Sequence, residues 1–221
     1  AMDILFEQGE MEAEALQNRQ ISQATLRILC QKGWVLRSRK RVFRDSYANH
    51  IENKENLILT SEQTEALVQI KDTIEAQKHS TFLLQGVTGS GKTEIYLRTA
   101  AEALLHEKQV MVLVPEIALT GQIVERFKAW FGKRVAVVHS KLSQSERADV
   151  WYKMRTGYAD ILIGVRSAVF APFLDLGLII MDEEQEYSYK QEERPSYNAR
   201  TISLKRAQMA SIPLLLGSAT P

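Results

Sequence analysis

One glycine-rich segment constrains this chain more than any other feature. Residues Gly86–Thr93 read G-V-T-G-S-G-K-T and match the pattern G-x-x-x-x-G-K-[S/T] in full. The segment follows a short apolar stretch, Thr81–Gln85, and precedes a helix predicted over Glu94–His106. Its glycines let the backbone curl so that N–H groups point inward at phosphates, and the helix N-terminus adds a partial positive charge. The pattern therefore predicts a site for the phosphates of a magnesium nucleotide, which we take to be ATP.

The individual residues of this loop have distinct expected roles. The Lys92 ammonium reaches the β- and γ-phosphates, and the Thr93 hydroxyl is a ligand for Mg²⁺. Glycine makes up roughly 7% of average sequences, so a full chance match is expected well under about 1% of the time. The residues expected to bind the nucleotide are Gly86, Thr88, Gly89, Ser90, Gly91, Lys92 and Thr93.

An apolar strand that ends in carboxylates is the second chemical signal. Leu178–Met181 is followed by Asp182, Glu183, Glu184 and Gln185. Ligands of parallel sheets sit beyond the strand C-termini, so Asp182 is expected to hold the Mg²⁺ and Glu183 to accept the proton of the attacking water. An ordinary acidic loop is the alternative, and the preceding phosphate loop disfavours it. Glu184 and Gln185 receive no specific role.

The remainder of residues 57–221 alternates short apolar strands with helical stretches. The strands are rich in Val, Ile and Leu and do not alternate with polar residues, which is typical of strands buried on both faces. This order predicts an α/β fold with a parallel sheet flanked by helices. The predicted strands are Thr81–Gln85, Val110–Val114, Val135–Val138, Ile161–Gly164, Leu178–Met181 and Leu214–Leu216. The predicted helices are Glu94–His106, Ile117–Phe131, Ser143–Arg155 and Asn198–Ala210.

Residues 3–45 have a different pattern. Glu10–Asn18 is predicted helical, and a second helix is capped by Ser22 and closed by Gly33. A basic, alternating segment follows, which predicts a hairpin and hence a small, partial winged-helix domain. Trp34 is expected in its core, and residues 46–56 are expected to be a linker. Phosphate contacts are expected from the basic residues Arg37, Arg39, Lys40 and Arg41, with a solvated basic turn as the alternative.

Composition excludes several classes of protein. Lys and Arg number 28 against 27 Asp and Glu, so net charge favours no partner and only local patches can. The single Cys30 allows neither an internal disulfide nor a cysteine zinc site, and it fits a reducing, cytoplasmic setting. We find no signal peptide and no apolar run of about 18 residues, so no membrane association is expected.

An aromatic and basic segment follows the acidic tetrad. Tyr187, Tyr189 and Lys190 lie there, together with Arg194 and Tyr197. Aromatic rings can stack on unpaired bases while cations hold the backbone, so the segment is a candidate DNA sensor that could reposition Glu183. A tyrosine-bearing surface loop is the alternative.

Several motifs together resemble the superfamily 2 helicases and, within them, the replication-restart helicases. The acidic tetrad is similar to their DExx box, and Gly217–Pro221 contains their S-A-T triplet. Val114–Thr120 occupies the place of their first DNA-strand motif, while Gly164–Phe173 and Tyr187–Glu192 resemble the restart family in particular. The resemblance covers nearly the whole chain and implies a RecA-like lobe preceded by a winged helix.

This resemblance implies roles for further residues. Gln63 is similar to the glutamine that contacts adenine, and its amide can both donate and accept. Arg166 and Ser167 are similar to contacts with the tracking DNA strand, with a packing turn as the alternative. Thr220 would couple nucleotide state to DNA grip. A surface position on the first turn of a helix remains the alternative for Gln63.

The family also implies partners and missing parts. Its members act on forked or single-stranded DNA in the 3′→5′ direction, with primosome proteins and single-strand-binding protein. A second lobe supplies arginines to the ATP site, and a cysteine-rich region binds zinc; neither is in this sequence. We therefore expect the chain to bind Mg-ATP and DNA without unwinding. Two alternatives are another superfamily 2 translocase, of repair or fork reversal, and a winged-helix DNA-binding module that only senses ATP.

Overall fold

The structure is a computed structural model that describes residues 11, 13–19, 21–37, 57–118 and 121–220. The chain divides into two compact units, Ala1–Phe43 and Arg44–Pro221, and each is described by itself. Among the described helices, none has both the length and the apolar character that crossing a bilayer requires.

The described part of the first unit holds two short helices, α1 (Ala13–Asn18) and α2 (Gln23–Gln31). The Ser22 hydroxyl accepts a hydrogen bond from the Thr25 N–H at 3.1 Å, which confirms the predicted N-cap. Gly33 follows α2 with a φ of +71°, a left-handed conformation that favours glycine. Trp34 was expected in a core, but it is 60% exposed and stacks only under the Lys32 ammonium, 5.0 Å from its ring.

The basic segment after this point is only partly visible. Arg37 is described and exposed. The hairpin, with Arg39, Lys40 and Arg41, and the linker at 46–56 lie outside the described residues, so the winged helix and its DNA contacts stay predictions.

A six-stranded parallel sheet forms the centre of the second unit. Its order is β1-β8-β5-β2-β4-β3, and every neighbouring pair runs parallel. The side chains of five strands, β2, β3, β4, β5 and β8, are almost entirely buried, whereas the edge strand β1 alternates exposed and half-buried residues. The strands are β1 (Thr81–Gln85), β2 (Gln109–Leu113), β3 (Val135–Val138), β4 (Ile161–Gly164), β5 (Leu176–Met181) and β8 (Leu214–Ser218).

Helices cover both faces of this sheet. Ile70, Tyr96 and Phe127, one from each of the first three helices of the unit, lie in one core layer. Met154 and Ala207, from the last two helices, lie in the other. This arrangement confirms the predicted α/β fold. The helices are α3 (Ser61–Glu75), α4 (Lys92–Leu105), α5 (Gln122–Phe131), α6 (Gln144–Thr156) and α7 (Ala199–Ala210).

Three details differ from the predicted elements. β1 was expected to be buried on both faces, but it is the sheet edge and Leu83 is 52% exposed. A helix was expected to begin at Ile117, yet Glu116–Ala118 is a 3₁₀ turn and α5 begins at Gln122, because Gly121 is its N-cap in extended conformation. A two-residue antiparallel ladder of β6 (Lys190–Gln191) and β7 (Tyr197–Asn198) was not predicted.

The parallel order has one consequence for function. All six strands end at the same edge, so the segments that follow them are brought together there. The phosphate loop follows β1, the acidic tetrad follows β5, the S-A-T triplet begins at the end of β8, and Arg166 follows β4. This edge is where a ligand site is expected.

Candidate nucleotide site and nucleic-acid interface

The phosphate loop leaves β1 and is fixed to the neighbouring strand at once. The Gly86 N–H donates to the Ser218 carbonyl at 3.0 Å. Gly89 and Gly91 have φ values of +83° and +90°, so the loop uses left-handed backbone where side chains are strained. Gly91 is the N-cap of α4, which begins at Lys92. The Glu94 N–H bonds back to the Gly91 carbonyl at 2.9 Å. The N–H groups at the very start of a helix generally lack intrahelical partners, which suits them to phosphate oxygens.

Neighbouring side chains pack closely against two glycines of the loop. A Cβ added to Gly86 would overlap the Ser90 hydroxyl, and one added to Gly91 would overlap the Gln63 amide nitrogen. The curled backbone and the ammonium of Lys92 make a donor set suited to a triphosphate.

Lys92 occupies the centre of the site. Its side chain is largely buried, and its ammonium donates to the Gly86 carbonyl at 2.5 Å. The same ammonium lies 3.4 Å from the Glu183 carboxylate. The structure therefore brings together the phosphate-binding lysine and the predicted base, which lie ninety-one positions apart in the sequence.

Glu183 is held in an unusual backbone conformation. Its φ is +45°, which is uncommon for a residue with a side chain. Its carboxylate accepts hydrogen bonds from the Gln185 amide at 2.8 Å and the Ala219 N–H at 3.2 Å. Burial by itself raises the pKa of Glu183, but these two hydrogen bonds and the charge of Lys92 outweigh it, so the net pKa is lowered. The carboxylate is consequently charged at neutral pH, as a proton acceptor must be.

Asp182 has the opposite electrostatic environment. Burial raises the pKa of its carboxyl, and the hydrogen bond from Tyr96 and the charge of Lys92 offset this only in part. The Tyr96 hydroxyl donates to it at 2.9 Å, from α4 one turn beyond Thr93, so the carboxylate lies against the first turns of that helix. Within the described residues, no group of three His, Cys, Asp or Glu converges on a metal site. A single carboxylate fits Mg²⁺ carried in by a nucleotide, whose phosphates supply further ligands.

Sequence reasoning assigned no role to Gln185, and the structure supplies one. Its amide donates to Glu183, and its carbonyl oxygen accepts from the Ser218 hydroxyl at 2.9 Å. Ser218 in turn accepts from the Thr220 N–H at 3.1 Å. Gln185 thus joins the acidic tetrad to the S-A-T triplet. Its position two residues after Glu183 was the only signal in the sequence.

Glu184, the other unassigned position, faces away from the site. It is buried, and its carboxylate forms an ion pair at 2.9 Å with Arg200 on α7, without hydrogen-bond alignment. Its N–H donates to the Gly217 carbonyl, which fixes the tetrad to β8.

Gln63 lies beside the loop, as the sequence predicts. It closes a capping box at the start of α3, where its carbonyl oxygen accepts from the Thr60 N–H at 3.0 Å. Its amide donates to the Ser90 carbonyl at 2.9 Å. One amide hydrogen remains for another acceptor, and the adenine contact stays a prediction.

Glu94 was missed by sequence reasoning. It is 2% exposed and pairs with Arg98 at 2.9 Å and with Arg126 of α5 at 2.7 Å. Arg98 also donates to the Leu57 carbonyl at 2.6 Å. Glu94 directly follows Thr93, so this cluster locks the first turn of α4 to α5. A carboxylate at the third position of a helix was a weak signal among many exposed ones.

Arg166 and Ser167 lie on a 3₁₀ turn, Arg166–Phe170, directly after β4. Both are half-buried. The Arg166 guanidinium donates to the carbonyl oxygens of Lys190 at 3.0 Å and of Ser188 at 3.4 Å. The turn and the aromatic segment are therefore one surface at the sheet edge, and the DNA contacts of Arg166 and Ser167 stay predictions.

The two tyrosines of the aromatic segment differ sharply. Tyr187 is 65% exposed, with the Lys190 ammonium 5.4 Å from its ring, and both have Glu192 as a partner. Tyr189 was expected to contact DNA, but it is 2% exposed and its hydroxyl donates to the Asp182 carbonyl at 2.6 Å. That prediction is wrong for this structure, because a buried ring has no face for a base. Tyr189 instead fixes the main chain of the acidic tetrad at Asp182 through this hydrogen bond.

Comparison with known proteins identifies the family. A family model of the DEAD/DEAH box helicases matches residues 60–221. The chain is 50% identical over 210 residues to the replication restart protein PriA of Bacillus subtilis, covering 95% of this chain and 26% of that protein. It is 44% identical over 218 residues to PriA of Synechocystis, covering 96% and 26%. The chain thus spans about a quarter of the length of these curated relatives.

Solved structures agree with this assignment. A structure of RecG bound to a three-way DNA junction matches with a TM-score of 0.58 and 25% identity, over 76% of this chain and 22% of that one. The Hef helicase domain of Pyrococcus furiosus matches in fold, with a TM-score of 0.51 at 20% identity, over 72% of this chain and 32% of that one. The sheet is the RecA-like sheet of helicases, and the chain belongs to the DEAD/DEAH box helicase family.

Proposed function

We propose that this chain is the first motor lobe of a replication-restart DNA helicase, where it binds Mg-ATP and DNA. The observation that carries the proposal is the meeting of Lys92 and Glu183 at 3.4 Å beside the glycine-rich loop. This places a phosphate-binding cation and a charged base in one site. The high identity to PriA proteins along nearly the whole chain supports the restart role.

The residues divide the work of nucleotide binding and hydrolysis. Lys92 and N–H groups of the loop and the start of α4 would bind the phosphates, while Thr93 and Asp182 would hold Mg²⁺, which would supply positive charge against the phosphate oxygens. Glu183 holds the proton of an attacking water at its carboxylate, and Gln63 contacts adenine.

A physical path links this site to the proposed DNA surface. Arg166 donates hydrogen bonds to the carbonyls on either side of Tyr189, and the Tyr189 hydroxyl donates to the carbonyl of Asp182. A strand that engages Arg166, Ser167, Tyr187 and Lys190 would therefore act on the acidic tetrad through one buried side chain. This supports the proposed sensor.

The wider role follows the PriA relatives. We propose 3′→5′ movement on forked or single-stranded DNA, primosome and single-strand-binding proteins as partners, and a cytoplasmic location. Zinc would belong to a part of the whole protein outside this sequence, and arginines of a second lobe would complete hydrolysis. The winged helix at 3–45, its basic residues and the linker at 46–56 are parts of the same proposal.

One observation favours a second candidate. The likeness to the RecG structure supports a fork-processing translocase of the same superfamily. A module that only senses ATP is disfavoured, because a sensor has no need for the charged carboxylate held beside Lys92.

The test is ATP hydrolysis by the whole protein, with and without forked DNA. We expect DNA to stimulate turnover, and Glu183→Gln to abolish turnover while Mg-ATP still binds. A turnover that ignores DNA would favour the sensor, and a preference for reversing forks over restart substrates would favour the RecG-like translocase.

A further inference from the structure

One aromatic ring within the Gly164–Phe173 segment has no role assigned so far. Phe170 ends the 3₁₀ turn that begins at Arg166, and it is 51% exposed. Its neighbours Val169 and Ala171 are completely buried. A single exposed apolar side chain is common at protein surfaces, so the evidence for a role of Phe170 is how its ring is held and what lies beside it.

The ring is held in this position. Arg206 of α7 donates to the carbonyl oxygens of Val169 and Ala171, on both sides of Phe170. The Tyr197 ring contacts Phe170 edge to face, with centroids 4.9 Å apart and planes at 72°. In an edge-to-face pair Tyr197 covers at most one face of the Phe170 ring, so at least one face is not covered by it. A ring fixed in this way loses little conformational entropy when it binds a ligand.

Its surroundings favour an anionic, planar ligand. Tyr197 pairs with Gln191 in the β6–β7 ladder, and Lys190 is the next residue of that ladder. Arg166, at the other end of the turn, donates to the Lys190 carbonyl. Within the part of the chain that the structure describes, the hydrogen-bond partners of Arg166 are carbonyl oxygens, which carry no formal negative charge to compensate the guanidinium. An exposed aromatic ring thus shares a small surface with a guanidinium able to bind phosphate.

We propose that Phe170 stacks on an unpaired base of a DNA single strand whose backbone is bound at Arg166. This inference rests on the proposed DNA function and adds a base contact to it. Stacking of this kind is tolerant of sequence because every base has a π face, and it contributes about 1–3 kcal/mol per base. Phe170 is then the complement of buried Tyr189: one ring binds the strand, and the other supports the acidic tetrad.

The test is a cycle that changes the ring and the base separately. Affinities for a fluorescein-labelled oligothymidylate and for a matched strand of abasic sites are measured by fluorescence anisotropy. Phe170→Ala should weaken oligothymidylate binding about 5- to 140-fold, since 1.4 kcal/mol is tenfold. It should leave the abasic strand unchanged. Phe170→Trp should restore the affinity, and Phe170→Leu, which keeps apolar volume, should not.

Controls separate stacking from structural damage. Met209→Ala removes an exposed apolar side chain in the last turn of α7 and should change neither affinity. Equal weakening of both strands by Phe170→Ala and Phe170→Leu would mean that the ring only supports the turn, and no weakening would mean that it does not touch DNA; either overturns the inference. If the unaltered chain bound neither strand, the proposed DNA function itself would fail, and the inference with it.

Discussion

Gly86–Thr93 and Tyr187–Asn198 both follow strands at one edge of the sheet, but they are built differently. In the phosphate loop the main chain makes the site, with left-handed glycines and N–H groups. In the aromatic segment the side chains make the surface, and their roles depend on burial. A short backbone motif can be identified from its glycine spacing, whereas a surface of side chains depends on which of them the fold buries.

The two regions are nevertheless joined. Asp182 receives a hydrogen bond on its carboxylate from Tyr96 of the loop helix, and another on its carbonyl from Tyr189 of the aromatic segment. One residue therefore lies between both regions. Substitutions in each region show whether nucleotide binding, stability and DNA response can be altered independently.

Removal of the loop lysine should have the greatest effect. Lys92→Ala should lower Mg-ATP affinity at least about 100-fold, because a largely buried cation for the β- and γ-phosphates is lost. Isothermal titration calorimetry measures it, with the exposed Lys78→Ala as the matched control. DNA affinity should stay within a factor of about two. Unchanged nucleotide affinity would contradict the assignment of the loop.

Loss of the buried carboxylate behind the loop should act on stability. Glu94→Ala leaves Arg98 and Arg126 without their shared partner, and should lower the free energy of unfolding by about 2–3 kcal/mol. This figure is below that for fully buried pairs because both arginines reach solvent. Urea denaturation checks it. Glu192→Gln in the aromatic segment, where both partners are exposed, should cause no measurable loss. Equal losses would remove the distinction between the regions.

The hydroxyl of Tyr189 should matter for coupling more than for stability. Tyr189→Phe keeps the buried ring but leaves the Asp182 carbonyl unbonded, which costs about 1 kcal/mol. DNA-stimulated ATP hydrolysis by the whole protein should fall while the rate without DNA stays nearly the same. Tyr187→Phe, on the exposed side, is the control. Undiminished stimulation in Tyr189→Phe would disprove the proposed path.

Acidification should affect the two carboxylates in sequence. Burial raises the pKa of Asp182, so it takes up a proton at a higher pH than an ordinary aspartate, while Glu183, with its lowered pKa, stays charged. Protonation removes the charge that Mg²⁺ needs. The magnesium-dependent part of ATP affinity should therefore decline as pH falls through the raised pKa of Asp182, beginning at a higher pH than an ordinary aspartate would cause. Asp182→Asn should reduce this dependence to the part caused by protonation of the ATP phosphates themselves, and an equal pH slope in that variant would contradict the role of Asp182.

Much of the architecture was accessible from the sequence for a physical reason. Val110–Leu113 and Ile161–Gly164 are apolar without interruption, and only strands buried on both faces need that. The partial exposure of β1 was not predicted. β1 is an edge strand, and the burial of its apolar residues depends on which elements pack against it. The start of α5 was not predicted correctly, because the hydrophobic periodicity does not distinguish the 3₁₀ turn at Glu116–Ala118 from the first turn of a helix.

The site divides in the same way. Lys92, Asp182 and Glu183 were predicted from motifs and are brought together as expected. Gln185, with its two hydrogen bonds, depends on the position of β8, and Tyr189 depends on the depth at which the fold buries it. The spacing of residues within a motif does not predict how deeply a side chain is buried or how segments distant in the sequence align.

Asp182 joins the phosphate loop helix and the aromatic segment through two hydrogen bonds. The most direct measurement is Mg-ATP affinity of this chain by calorimetry, with and without saturating oligothymidylate. If Asp182 is shared as described, DNA must change ATP affinity, and ATP must change DNA affinity by the same factor. We predict a change of at least about fivefold that Tyr189→Phe removes. Identical ATP affinities with and without the strand would contradict coupling of the two regions through Asp182.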